Sequence, residues 1–114
     1  MTLNIGTYFM VGLPEAELDA STIQLIRDLR IHNFIIFKRN VESPGQLRRL
    51  CREVKAACLE HNLPLPFISI DQEGGTVARL PEPFTQFQDA RVLAQSADAE
   101  QALLAYARTS ARTG

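Results

Sequence analysis

The chain has no tryptophan, only two cysteines and two histidines, and no excess charge of either sign: twelve Lys and Arg stand against thirteen Asp and Glu. Each scarcity removes a class of function. A near-neutral balance gives no electrostatic reason for nucleic acid or an anionic membrane as partner. No apolar run approaches the roughly 20 residues of a spanning helix. The opening MTLNIGTYFMVGLPEAEL has neither a basic n-region nor a small-residue cleavage site, so the expected location is cytoplasmic. No Cys/His set has metal-ligand spacing, and no Ser-His-Asp order is visible. Cys51 and Cys58 fall on one expected helix, roughly 10 Å apart at about 1.5 Å per residue, too far for a disulfide and suited to core positions. His32 and His61 lie before a strand and at a helix end, where surface or capping roles are expected.

What is present is a globular composition, 46% hydrophobic and 22% charged over 114 residues, with strands and helices in alternation. Thr7 to Leu13 predicts a first strand, ended by Pro14. A helix follows from Asp19 or Ser21 to Arg30, with Ser21 and Gln24 matching a capping box. Ile23, Ile26 and Leu29 or Arg30 are expected along its packed side. Asn33 to Lys38 is a nearly continuous apolar run, as for a strand covered on both faces. Ser43, Pro44 and Gln46 then mark a second helix, carrying a stripe of Leu47, Leu50, Cys51, Val54 and Cys58 and ending at Asn62 and Pro64. Phe67 to Ile70 predicts the third strand, residues 79–97 a loop, and the region from Asp98 a last helix with Leu103, Tyr106 and Ala107 on one side.

The order β-α-β-α-β-loop-α implies parallel strands with right-handed crossovers. Three units of about 38 residues would become roughly 300 if repeated eight times, the size of a (β/α)8 barrel. Residues 1–114 are therefore expected to be an α/β segment holding the first three βα units of such a barrel, incomplete in this chain. A self-standing three-layer domain with its strand edges shielded by association is the alternative. Open strand edges allow self-association in either case.

In parallel α/β folds, sites gather at the carboxyl ends of strands. Three polar clusters fall there: Pro14-Glu15, Lys38-Arg39-Asn40 and Asp71-Gln72-Glu73. Asp71 and Glu73 would share one side of an extended segment, which invites a glycosidase acid pair. The competing expectation is that Glu73 pairs with Arg39 or another arginine inside the barrel mouth and fixes the loop, leaving Asp71 to accept hydrogen bonds from sugar hydroxyls. Gly74 and Gly75 allow a sharp turn; GGTVAR has neither the lysine of a P-loop nor a dinucleotide spacing. Arg79, eight residues past Asp71, either swings back toward that pocket or does not; spacing leaves both open.

The stretch FIIFKRN-x3-PGQL, followed by FISIDQEGGTVARL and PFTQF, resembles the N-terminal portion of glycoside hydrolase family 3, in its bacterial β-N-acetylhexosaminidase branch. The likeness runs from about Phe9 to about Leu93. It implies a barrel enzyme that removes terminal β-linked N-acetylglucosamine with retention, through a covalent glycosyl-enzyme and without a cofactor, usually in cytoplasmic recycling of cell-wall muropeptides. It implies substrate-binding roles for Asp71 and Arg79 and structural roles near the site for Arg39, Glu73, Gly74 and Gly75. Threonine at position 76 departs from the arginine common there. The family's nucleophilic aspartate and its Lys-His-Phe-Pro-Gly-His type loop have no counterpart in these residues, so no catalytic residue is assigned and the chain by itself is expected to be inactive. A stand-alone carbohydrate-binding or assembly module is the alternative function.

Overall fold

The computed structural model describes residues 5–113. A 3-10 turn, Ile5–Tyr8, leads into β1 (Val11–Gly12); α1 (Ala20–Leu29), β2 (Asn33–Ile36), a second 3-10 turn (Lys38–Asn40), α2 (Pro44–Glu60), β3 (Phe67–Ile70), α3 (Ala90–Ala94) and α4 (Ala99–Thr113) follow. The sheet has the order β1-β2-β3 with every pair parallel, in the register Val11↔Phe34 and Phe34↔Ile68. These are three successive βα units, as the alternation of apolar runs and helical stripes implies.

Helix α2 follows its sequence signals most closely. Ser43 accepts from the Gln46 backbone N–H and Pro44 occupies the first turn, where its missing N–H costs nothing. The Gln46 side chain returns the capping bond and also donates to the carbonyls of Ala16 and Asn40 at 2.6 and 2.8 Å. The cap thus ties the helix start to two loops. Leu50, Val54, Ala57 and Cys58 carry the stripe into the core, joined there by Ile26 from α1 and Phe34 and Ile36 from β2. Burial pushes the thiols of Cys51 and Cys58 above their usual range, and both are free; Cys58 lies in the core as expected, whereas Cys51 is only half-buried.

Several elements differ from expectation. The first strand shrinks to two residues because the aromatic run before it is not covered: Tyr8, Phe9 and Met10 are all exposed. Helix α1 buries Thr22 and Ile26, four apart, and leaves Ile23 and Leu29 at the surface. Asp19 caps it and gathers the hydroxyls of Ser21 and Thr22, so the Ser21–Gln24 box does not form. Desolvation would raise the Asp19 pKa, but those hydroxyl donors outweigh it and hold the carboxyl below its usual range. Strand β2 alternates buried and half-buried residues rather than being enclosed on both sides. Its terminal Lys38 belongs to the 3-10 turn. His32 is buried, with Nδ1 2.9 Å from the Arg30 carbonyl, rather than on the surface; His61 caps α2. The expected loop 79–97 contains the five-residue helix α3.

Candidate functional site

The carboxyl ends of the three strands are stitched together by side chain to backbone bonds. Asn40, fully buried, donates to the carbonyls of Leu13 at 2.9 Å and Glu15 at 2.7 Å, and its own carbonyl oxygen accepts from the Phe37 N–H at 2.8 Å. One amide therefore closes the 3-10 turn after β2 and clamps the segment after β1. Arg39 adds a second bond to the Leu13 carbonyl through Nε, at 2.9 Å. The first two polar clusters thereby become one scaffold.

The third cluster follows β3. Asp71 stands directly after Ile70 and is exposed, so its carboxylate is available at the mouth. Gln72 turns inward instead. Its Oε1 accepts from the backbone N–H of Arg79 at 2.8 Å and of Leu80 at 3.2 Å, and its main-chain carbonyl accepts from the Tyr106 hydroxyl at 2.9 Å. A tight loop separates Gln72 from Arg79. The N–H groups of Glu73 and Gly74 both donate to the Val77 carbonyl, and that of Gly75 donates to Phe87. Gly74 and Gly75 have φ of +88° and +59°, a region that side chains disfavour. The turn is needed to bring Arg79 back, and the Gln72 side chain locks the returning segment in place.

Arg79 does return over the sheet. Its guanidinium carbon lies 5.8 Å from the centre of the Phe37 ring, the ring that Arg39 approaches at 5.0 Å. Among the described residues Glu73 forms an ion pair with neither Arg39 nor another arginine, contrary to expectation; it is exposed, while Arg39 is engaged with Leu13 and Phe37. The ion pair among the described residues is Arg27–Asp28, on the far helix surface. The structure brings Arg39 and Arg79 together through Phe37 and places Asp71 at the same end of the sheet. Sequence reasoning did not anticipate Asn40 and Gln72 as the holding residues. Their signal was present, since both are amides in strand-end polar clusters.

A cleft of about 980 Å³ touches Gln72 and Gly74 of this loop but lies mostly away from the strand ends. It runs along the outer side of β3 between α2 and α4, with Phe67, Ile68 and Ile70 on its floor, and neither Asp71 nor Arg79 lines it. It is the uncovered edge of the sheet rather than a pocket at the strand ends. Among the described residues no His/Cys/Asp/Glu cluster suits a metal ion, and no helix is long and apolar enough to cross a membrane.

A parallel α/β barrel segment with polar groups gathered at its strand ends is the class of protein that this arrangement defines. Comparison with known proteins gives the family. The glycosyl hydrolase family 3 N terminal domain matches residues 5–113. A beta-hexosaminidase of Pseudomonas aeruginosa is 36% identical over 92 residues, covering 81% of this chain and 26% of that protein. One from Alkalilimnicola ehrlichii is 37% identical over 93 residues, covering 82% and 26%. Among solved structures, a glycoside hydrolase family 3 beta-N-acetylglucosaminidase from Paenibacillus sp. superposes with TM-score 0.81 at 32% identity, over 88% of this chain and 19% of that one. NagZ from Neisseria gonorrhoeae, in complex with N-trifluoroacetyl-D-glucosamine, gives 0.72 at 31% identity, over 88% and 29%.

The chain belongs to glycosyl hydrolase family 3, and its three βα units are those of that family's (β/α)8 barrel. It spans about a quarter of the length of the curated relatives it matches.

Proposed function

We propose that this chain supplies the first three βα units, and part of the sugar-binding site, of a glycoside hydrolase that removes terminal β-linked N-acetylglucosamine with retention. The observation that carries the reading is the family match across residues 5–113 together with the DQEGG loop that returns Arg79 to the strand ends. In this reading Asp71 accepts hydrogen bonds from hydroxyls of the terminal sugar, because an exposed carboxylate at a strand end can engage two neighbouring hydroxyls. Arg79 closes on the same sugar from the other side of the loop. Gly74, Gly75 and Gln72 fix the separation between the two. Glu73, exposed and outside any ion pair, belongs to the loop and takes no part in the chemistry. The substrate is a carbohydrate containing N-acetylglucosamine, and the biological setting is cytoplasmic recycling of cell-wall muropeptides.

Binding groups alone stabilise ground and transition states alike, and a retaining mechanism requires a nucleophile to form the glycosyl-enzyme. The family's nucleophile and its histidine loop have no counterpart among these residues. The 114-residue chain is therefore expected to release no chromophore from an aryl β-N-acetylglucosaminide above the buffer rate. Turnover by pure chain that disappears in Asp71→Ala would overturn this assignment.

The open edge of β3 favours one addition to this reading. Phe67 and Leu65, at and just before that edge, are 74% and 65% exposed. Unpaired strand backbone flanked by apolar side chains recruits further strands. Copies of the chain are expected to associate through this edge, giving a sedimentation coefficient that rises with concentration. Phe67→Lys is expected to return the chain to a monomer; unchanged association in that variant would place the contact elsewhere.

A further inference from the structure

We infer that Tyr106, on α4, is a positioning residue for the sugar-binding loop: its hydroxyl fixes the Gln72 main chain, and through it the presentation of Asp71 and Arg79. The inference rests on the sugar-binding reading above, but Tyr106 itself lies outside that site and acts through Gln72.

The Tyr106 hydroxyl donates to the Gln72 main-chain carbonyl at 2.9 Å, across 34 residues of sequence. The N–H of the same peptide unit, that of Glu73, donates to the Val77 carbonyl at 2.8 Å. A planar peptide held at both its oxygen and its nitrogen cannot turn without breaking one of the two bonds. The Gln72 side chain is engaged as well, since its Oε1 accepts from the N–H groups of Arg79 and Leu80. Gln72 stands directly after Asp71 and fixes the return of Arg79, so a swing of its main chain would alter the separation of the two binding groups.

Phe87 gives the second attachment. Its ring meets that of Tyr106 edge to face, with centroids 5.3 Å apart at 72°. Its carbonyl accepts from the Gly75 N–H at 2.9 Å, and a Cβ on Gly74 would stand 3.0 Å from the same oxygen. Tyr106 therefore reaches the loop twice, at its start through the hydroxyl and at its glycine turn through Phe87. Helix anchoring alone does not account for a hydroxyl there. Helix α4 packs chiefly on α3, Leu103 and Leu104 remain exposed, and a phenylalanine would make the same contact with Phe87. Tyrosine adds a donor at the far end of that ring.

Tyr106→Phe keeps the ring and removes the donor. Gln72 and Tyr106 both line the cleft beside β3, so water can satisfy the freed carbonyl without fixing its direction, and the variant is expected to fold. The full chain, wild type and variant, is compared by NMR at a temperature where both are folded. Without ligand, the Glu73 and Arg79 amide signals are expected to move, and those of Leu50 and Val54 in α2 to stay. On titration with N-acetylglucosamine the variant is expected to bind about fivefold more weakly, the factor for one neutral hydrogen bond. A residue that merely stabilises the fold leaves the affinity of folded protein unchanged. Coupling is reciprocal, so saturating sugar is expected to shift the Tyr106 Cζ signal of the wild type. Tyr8, the chain's other tyrosine, is exposed before β1 and its signal should not move. Loop signals that stay in place, or that move while affinity stays within about twofold, would overturn the inference and leave the sugar reading intact. Wild type that does not bind N-acetylglucosamine would remove the sugar reading, and the positioning role with it.

Discussion

Asn40→Ala is expected to cost about 3 kcal/mol of unfolding free energy, a large share of the stability of any domain this size. The amide of Asn40 is fully buried and makes three bonds: to the carbonyls of Leu13 and Glu15, and from the N–H of Phe37. Alanine removes one acceptor and two donors at once. The Leu13 carbonyl keeps its bond from Arg39, but the Glu15 carbonyl and the Phe37 N–H lose the partners that Asn40 provides. Water could replace them only by entering beside Leu13 and Val41, both in the core. The loss should also reach the site, because Phe37 carries both arginines. Urea unfolding of wild type and variant measures the first effect. A cost below about 1 kcal/mol, the net value of a single hydrogen bond, would mean that the stitching between the segments after β1 and β2 has been misjudged.

Gly74→Ala should be comparably severe for a different reason. A Cβ there would lie 2.4 Å from the Gln88 carbonyl oxygen and 3.0 Å from that of Phe87, in backbone that already has φ +88°. Backbone oxygen cannot rotate away as a side chain could, so the loop must open. The positive φ costs about 1 kcal/mol and the displaced backbone contacts a further ~1–3 kcal/mol. Opening the loop would release Glu73 and Gly74 from Val77 and Gly75 from Phe87, and with them the approach of Arg79 to Phe37. Gly45, in the first turn of α2, is the natural control, since nothing lies within 4 Å of its would-be Cβ. Gly45→Ala should be neutral or stabilising by up to about 1 kcal/mol. Equal thermal shifts in the two variants would show that the DQEGG turn is not constrained as described.

Legibility in the sequence followed the range of the interaction involved. Helix α2 and strand β3 were legible almost to the residue, because a capping box, a proline at the first turn and an apolar stripe are local signals that the core then rewards. Strand β1 was not. Tyr8, Phe9 and Met10 have strand-like chemistry, yet all three remain exposed, and pairing with β2 begins only at Val11. Helix α3 is five residues long, too short to set up a periodicity, and it sits in a segment broken by Pro81 and Pro83.

The candidate site divides in the same way. A hydrophobic strand ending in Asp71 and a glycine pair announced a turn at the strand end, and family likeness supplied Asp71 and Arg79 as binding residues. Spacing alone left the direction of Arg79 open, and Gln72, seven residues away, is what settles it through a bond that no local pattern encodes. Asn40 joins segments separated by 27 residues in the same silent manner. The expected pairing of Glu73 with Arg39 failed because Arg39 is already committed to the Leu13 carbonyl and the Phe37 ring.

The central claim is that the strand ends of this chain form part of a sugar-binding site through Asp71 and Arg79. Amide-resolved titration with N-acetylglucosamine tests it most directly, comparing wild type with Asp71→Asn. The account expects saturable shifts concentrated in residues 71–79 and at Phe37, with affinity reduced about tenfold or more in the variant, as for the loss of a charge-assisted hydrogen bond. Shifts that never saturate, or that are identical in Asp71→Asn, would contradict it.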